Sequence, residues 1–298
     1  MEMYIWNTVI VLSKAVFYIG FACIAGYTFF SNVYSGNVIE NGEERSFSQI
    51  TVVTAFIAFI ANAVWFFAST GAMVEEGIAG AVDLDMINIM WDSSIGDTTL
   101  WRSVGLIGAA TVVMFSSKFV VRKRSKYVLQ ALLVICLFVF SYSYTLVGHV
   151  SDMGVIEKGL LMVHVIVMGW WFGTLYPLKQ ASNNTNYEQL HHLMEVFGKQ
   201  ASVMVTLLLQ AGLILAIQLL GSVEALFSSS YGQALLVKLF LVTCILAIAA
   251  KHKFKLVPLL KERKGRKVLS KSIMIEMVMA FAILTITAGL TSVVGPAY

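Results

Sequence analysis

Prolines number three in 298 residues, cysteines three, and charged side chains make up only 13% of the chain. So little charge cannot cover a soluble globule of this size, and a water-soluble domain is excluded. The scarcity of proline leaves long stretches free to run as uninterrupted helix. Cys23, Cys136 and Cys244 each lie inside an apolar run without CxxC spacing, which excludes a disulfide framework and a zinc knuckle and leaves them as packing residues. No basic n-region precedes the first apolar run and no small-residue cleavage site follows it, so that run is expected to be a retained helix. Neither GxxxxGK nor an Asp-Lys-Thr-Gly phosphorylation sequence occurs, which argues against an ATP-driven pump.

What the chain has in abundance is apolar residues, 58% of the total. They fall into runs of about twenty, the length a helix needs to cross ~30 Å of hydrocarbon. The expectation is an all-α integral membrane protein, a single polytopic domain over 1–298. Its eight transmembrane helices are placed near 6–30, 49–72, 100–119, 127–148, 156–178, 199–220, 234–257 and 270–292.

The net charge of +4 is a topology signal rather than a nucleic-acid footprint. Lys118, Arg122, Lys123, Arg124 and Lys126 sit between the third and fourth spans, and nine Lys/Arg between Lys251 and Lys271 separate the seventh from the eighth. Such connections stay on the cytoplasmic side. The segment after the second span carries Glu75, Glu76, Asp83, Asp85, Asp92 and Asp97 with no basic residue before Arg102, so it faces outward. Eight spans then put both termini outside. Glu40, Glu43, Glu44 and Arg45 fall on an inner connection and give little guidance. The outer loop 73–99 is expected to contain a short helix, since Ile78, Val82, Met86 and Met90 recur at a spacing near four.

Two histidines stand out. His149 follows Gly148 at the outer end of the fourth span, and His164 lies inside the fifth, roughly 10 Å below its outer end. Helical spacing puts Tyr142, Thr145 and His149 on one face of the fourth span, and His164, Met168, Trp171 and Leu175 on one face of the fifth, with Glu157 two turns above His164. A short turn, Val150 to Val155, makes the two spans antiparallel neighbours whose faces are expected to meet. Neutral imidazole suits copper, zinc, iron or nickel, whereas thioether sulfur favours Cu(I). With Met153, Met162 and Met168 close by, copper is the metal for which the set makes sense, with His149, His164, Met153 and Met168 as ligands. The competing reading is a b-type haem with His149 and His164 as axial ligands, which would make the chain a membrane oxidoreductase rather than a non-enzymatic transporter.

Ionisable residues inside spans are costly and point to function by default. Lys14 must snorkel, pair or meet water. Lys238 is expected to pair with Asp152 or Glu157, and Glu276 to pair with Lys271 or Arg266 or to serve ion exit. His191, His192 and His252, in charged inner connections, are expected to be solvated.

The segment GHVSDMGVIEKGLLMVHVIVMGWWFGTLYPL resembles the bacterial copper resistance protein D family, with its Gly-His and its His-x6-Trp-x-Gly-x-Leu helix, here His164, Trp171, Gly173 and Leu175. Tyr231, Gly232, Lys238 and Glu276 are similar to the family's last two helices, and Trp101-Arg102 to its third-helix entry, so the likeness covers most of the chain after residue 90. In the family's first helix an Arg and a nearby His are common, whereas here Lys14 leads and Phe17 and Tyr18 follow. The resemblance implies copper transport and homeostasis across the bacterial inner membrane, with the outer side periplasmic. It also implies a partner in trans of the copper resistance protein C type, a copper-binding domain that some relatives carry fused and this chain lacks.

Overall fold

In the computed structural model, which describes residues 2–34, 41–118, 123–260 and 263–293, long helices follow one another with short connections and no strand among the described residues. Eleven helices occur there: α1 (Glu2–Tyr34), α2 (Asn41–Val74), α3 (Gly77–Ala81), α4 (Leu84–Trp91), α5 (Ser94–Lys118), α6 (Lys123–Ser143), α7 (Val155–Asn184), α8 (Tyr187–Leu220), α9 (Val223–Ser228), α10 (Ser230–Lys251) and α11 (Arg263–Leu290). Eight of them, all but α3, α4 and α9, are long and apolar enough to cross a membrane. The chain is a multi-pass membrane protein. Glu40 and Arg122, and the side chains of Glu43, Glu44, Lys118, Lys123 and Arg124, lie outside the described residues.

Helix α1 is the axis of the bundle. Of its most apolar stretch 61% is buried, against 11% for the span Ser230–Leu256. The reason is small residues placed where neighbours cross. A Cβ on Gly173 of α7 would come 1.8 Å from the Ala22 carbonyl oxygen, and one on Gly26 of α1 would come 2.3 Å from the Gly173 backbone. On its other side Gly20 would meet the Ala58 Cβ of α2 at 2.4 Å. Lipid tails are as apolar as leucine, so helices in a bilayer associate through such close backbone approach rather than through exclusion of water. Between the glycines, Phe21, Ala22, Ile24 and Ala25 are fully buried. The outer faces of α8 and α10 instead present Leu213, Ile217, Val237 and Phe240 outward, as lipid-facing surfaces do.

The segment expected as an outer loop is largely helical. Asp83 caps α4 by accepting from the Met86 N–H at 2.9 Å, so the spacing through Ile78 and Met90 belongs to two short helices broken at Val82–Asp83. Glu2 ties this segment to α1, its Oε1 accepting from the Gly77 N–H and from Trp6 Nε1. Two boundaries also move. Helix α8 begins twelve residues earlier than hydropathy suggests, because Leu190 and Leu193 bury completely while their charged neighbours mask the apolar face. Helix α6 ends at Ser143, and Tyr144 through Gly154 form a turn-rich connection with Gly148 at φ +84°.

Gly173→Val should disrupt the α1–α7 crossing, with overpacking costing on the order of 1–3 kcal/mol or more because backbone cannot yield as a side chain can. Gly159→Ala, where no atom lies within 4 Å of the added Cβ, should leave the thermal midpoint in detergent unchanged.

Candidate functional site

The two histidines are held by different neighbours. His149 is not on α6: with that helix ended at Ser143, it follows Gly148 in the connection and packs edge-on against Tyr231 at the start of α10, ring centroids 6.0 Å apart. The shared face of Tyr142, Thr145 and His149 therefore does not exist. The cause is local, since Ser141, Ser143 and Thr145 turn their hydroxyls onto carbonyls three residues back while Gly148 takes a left-handed turn. His149 Nε2 is buried and has no hydrogen-bond partner.

His164 lies on α7 and faces α8. Its Nδ1 is 3.1 Å from the Leu208 carbonyl oxygen. A carbonyl only accepts, so in the neutral ring Nδ1 carries the hydrogen and the lone pair sits on Nε2. This is the arrangement that orients metal-binding histidines through the nitrogen away from the metal. Gly212, one turn on from Leu208, makes room for the ring: a Cβ there would stand 2.9 Å from His164 Cε1. Lys238 of α10 is near enough for its charge to act on the same ring. His164 thus belongs to a junction of α7, α8 and α10 rather than to a face shared with α6.

Of the other expected ligands, Met153 is half-buried in the connection and Met168 is half-buried against the main core. Asp152 is exposed. Glu157 accepts from Gln218 Nε2 at 3.0 Å and is not paired with Lys238. Among the described residues no group of three or more His, Cys, Asp or Glu side chains converges as a metal cage would.

Deeper along α7 lies a buried polar network. Trp171, roughly 10 Å below His164, donates from Nε1 to Glu276 Oε1 at 3.1 Å. The other carboxylate oxygen stands 3.4 Å from His252 Nδ1, and His252 Nε2 is 2.7 Å from Ser272 Oγ. Glu276 is 2% exposed and His252 7%. Glu276 therefore meets neither Lys271 nor Arg266, whose Nη1 donates to the Thr185 carbonyl at 2.9 Å. His252 is not solvated. It opens a π-helical turn, His252–Leu256, whose wider winding carries the ring inward although Lys253 and Lys255 beside it point out. No local sequence signal distinguishes this histidine from His191 and His192.

Lys14, 5% exposed, is resolved by pairing: Nζ donates to the Thr291 carbonyl at 3.0 Å, to Thr291 Oγ1 at 3.1 Å and to Ser292 Oγ at 2.9 Å. A cation there meets the carbonyl end of α11, where the helix dipole is negative.

Residues 3–157 match the family described as copper resistance protein D-like, N-terminal domain, and residues 191–290 match copper resistance protein D. The chain belongs to the copper resistance protein D family. Copper resistance and homeostasis is thus its general role, and the likeness reaches back to residue 3 rather than starting near residue 90. His149 lies within the first matched stretch, Lys238, His252 and Glu276 within the second, and His164, Met168 and Trp171 between the two. No curated protein and no solved structure matches the chain.

His252→Ala should strand the inner network, leaving Glu276 and Ser272 short of a buried partner at a cost of roughly 1–3 kcal/mol. His192→Ala, at an exposed position, should be neutral. Thermal unfolding of the two variants side by side in the same detergent checks the contrast.

Proposed function

We propose that the protein carries copper ions across the bacterial inner membrane as a transporter without enzymatic chemistry, taking them up or releasing them at the periplasmic end through His149 and His164. The observation that carries this reading is the state of the two imidazoles. His149 offers a buried Nε2 with no partner, and His164 is fixed by the Leu208 carbonyl so that its Nε2 lone pair is free. Both are donors of the kind copper accepts, and the thioethers of Met153 and Met168 are supplementary ligands for Cu(I).

The charge pattern supports the orientation. Glu2 and the acidic segment from Glu75 to Asp97 lie at one end of the bundle together with His149, and the Lys/Arg-rich connections lie at the other. Basic connections remain cytoplasmic, so the end with Glu2, both termini and His149 is periplasmic. A periplasmic copper-binding partner of the copper resistance protein C type would deliver or receive the ion there.

The path continues down α7. After His164, the next polar stop is Trp171–Glu276–His252, which leads toward the cytoplasmic connections. Sites that bind firmly enough to admit an ion yet loosely enough to release it are what conduction requires.

Cu(I) affinity of purified protein should fall on the order of 10–100-fold in His164→Ala, and further in the double variant with His149→Ala. Gly212→Ala keeps the histidine but displaces its ring, and should weaken Cu(I) binding while the protein stays folded. Unchanged affinity and unchanged copper tolerance in the double variant would defeat the proposal; a Soret band lost on His164→Ala would replace it with haem ligation.

A further inference from the structure

The largest fully buried polar side chain lies away from the copper residues. Arg102 of α5 is 1% exposed. Its guanidinium carbon lies 4.5 Å from the Phe17 ring centroid of α1, 4.6 Å from that of Trp65 on α2 and 5.5 Å from that of Tyr144. Tyr144 in turn stacks on Tyr18, centroids 5.6 Å apart. Aromatic faces attract a guanidinium, but they offer its N–H groups no acceptor in the ring plane. Arg102 Nε and Nη1 are buried without a hydrogen-bond partner, and so is the Tyr144 hydroxyl.

The neighbouring cation does not relieve this. Lys14 is within electrostatic reach of Arg102, and its three donors are already taken by Thr291 and Ser292. The Tyr18 hydroxyl is likewise engaged, 3.3 Å from Thr291 Oγ1. Two basic side chains are therefore buried together, and the carboxyl–imidazole contact of Glu276 with His252 lies roughly 20 Å away along α11. Buried charges in proteins are paired, and buried donors are satisfied. The groups left unmet on and beside Arg102 are donors on a cation and a hydroxyl that can donate; the further unmet atom nearby in the fold, Asn62 Oδ1, belongs to an amide whose Nδ2 is held by the Thr99 carbonyl and Ser103 Oγ of α5.

We propose that Arg102 and Tyr144 bind a small monovalent anion, of the size and chemistry of chloride, in an aromatic enclosure formed by Phe17, Trp65 and the Tyr144 ring. The anion accepts from the Arg102 N–H groups and the Tyr144 hydroxyl and balances a charge that no carboxylate of the described residues pairs with. Near-complete burial of Arg102 favours a compact ion over a lipid headgroup or a large oxoanion. The site lies beside Tyr144, where the connection after α6 begins, toward an end of the bundle rather than at its centre.

The test uses the full-length protein in zwitterionic nanodiscs, with sodium chloride replaced stepwise by sodium gluconate at constant ionic strength. The thermal midpoint should rise saturably with chloride, as expected for a ligand bound by the native state alone. Tyr144→Phe keeps the ring and removes the hydroxyl, and should weaken half-saturation by roughly tenfold. Arg102→Gln should abolish the chloride response. A midpoint that is equal in chloride and gluconate, or that climbs linearly without saturation, overturns the proposal. So does a chloride response that is the same in Tyr144→Phe as in wild type, which decides the matter even where Arg102→Gln does not fold. Copper takes no part in the measurement, so its outcome is independent of the transport reading.

Discussion

The backbone contact between α1 and α7 at Gly26 and Gly173 is the constraint on which the rest of the bundle depends. It brings two helix axes closer than any side chain would allow, and each of the two helices supplies polar or aromatic groups to the interior. Helix α1 contributes Lys14, Phe17 and Tyr18 to the cluster around Arg102; α7 contributes His164, held by the Leu208 carbonyl, and Trp171, held by Glu276. In a bilayer, where apolar surface gains nothing by turning inward, such close packing is what distinguishes an inner helix from a peripheral one.

That frame divides the interior into three polar regions with different chemistry. Near His149 and His164 the groups on offer are imidazole nitrogens with lone pairs, suited to a soft or borderline cation. Farther along α7 a carboxylate, an imidazole, an indole and a hydroxyl satisfy one another. On Arg102 the unmet groups are donors, suited to an anion. Polar groups are expensive in hydrocarbon, so each region has to be either internally complete or completed by a ligand. The inner network is of the first kind. The other two are read as the second, with copper as cargo in one and a small anion in the other.

Polar residues inside apolar runs are legible in the sequence; the partners they meet are not. His164 was recognisable from its place in an apolar run, but its neighbours Leu208 and Gly212 were not, because a carbonyl oxygen and a glycine carry no signal of their own. Continuous hydropathy extends the fourth span to His149, whereas the Ser/Thr hydroxyls end α6 at Ser143. The lysines beside His252 suggest a solvated ring, whereas a π turn buries it against Glu276. Arg102 carries no local signal beyond a family likeness, since the three rings around it come from α1, α2 and the connection after α6, far apart in the chain.

Composition by itself determined that this protein lives in a membrane, and the spacing of apolar runs marked out eight helices long enough to cross one, since the thickness of hydrocarbon sets the length a crossing helix needs. The distribution of Lys, Arg, Asp and Glu pointed to which connections share a side. Tertiary structure decided which interior polar groups meet, for a reason of geometry: each helix presents its neighbours with a face set by rotation about its own axis and by where it stops. Hydropathy is blind to rotation and only loosely sensitive to endings. Hence His164 meets α8 and His149 meets α10 rather than the two sharing one helix-to-helix face, and the buried arginine, which no apolar pattern singles out, stands in a ring of aromatics with donors to spare.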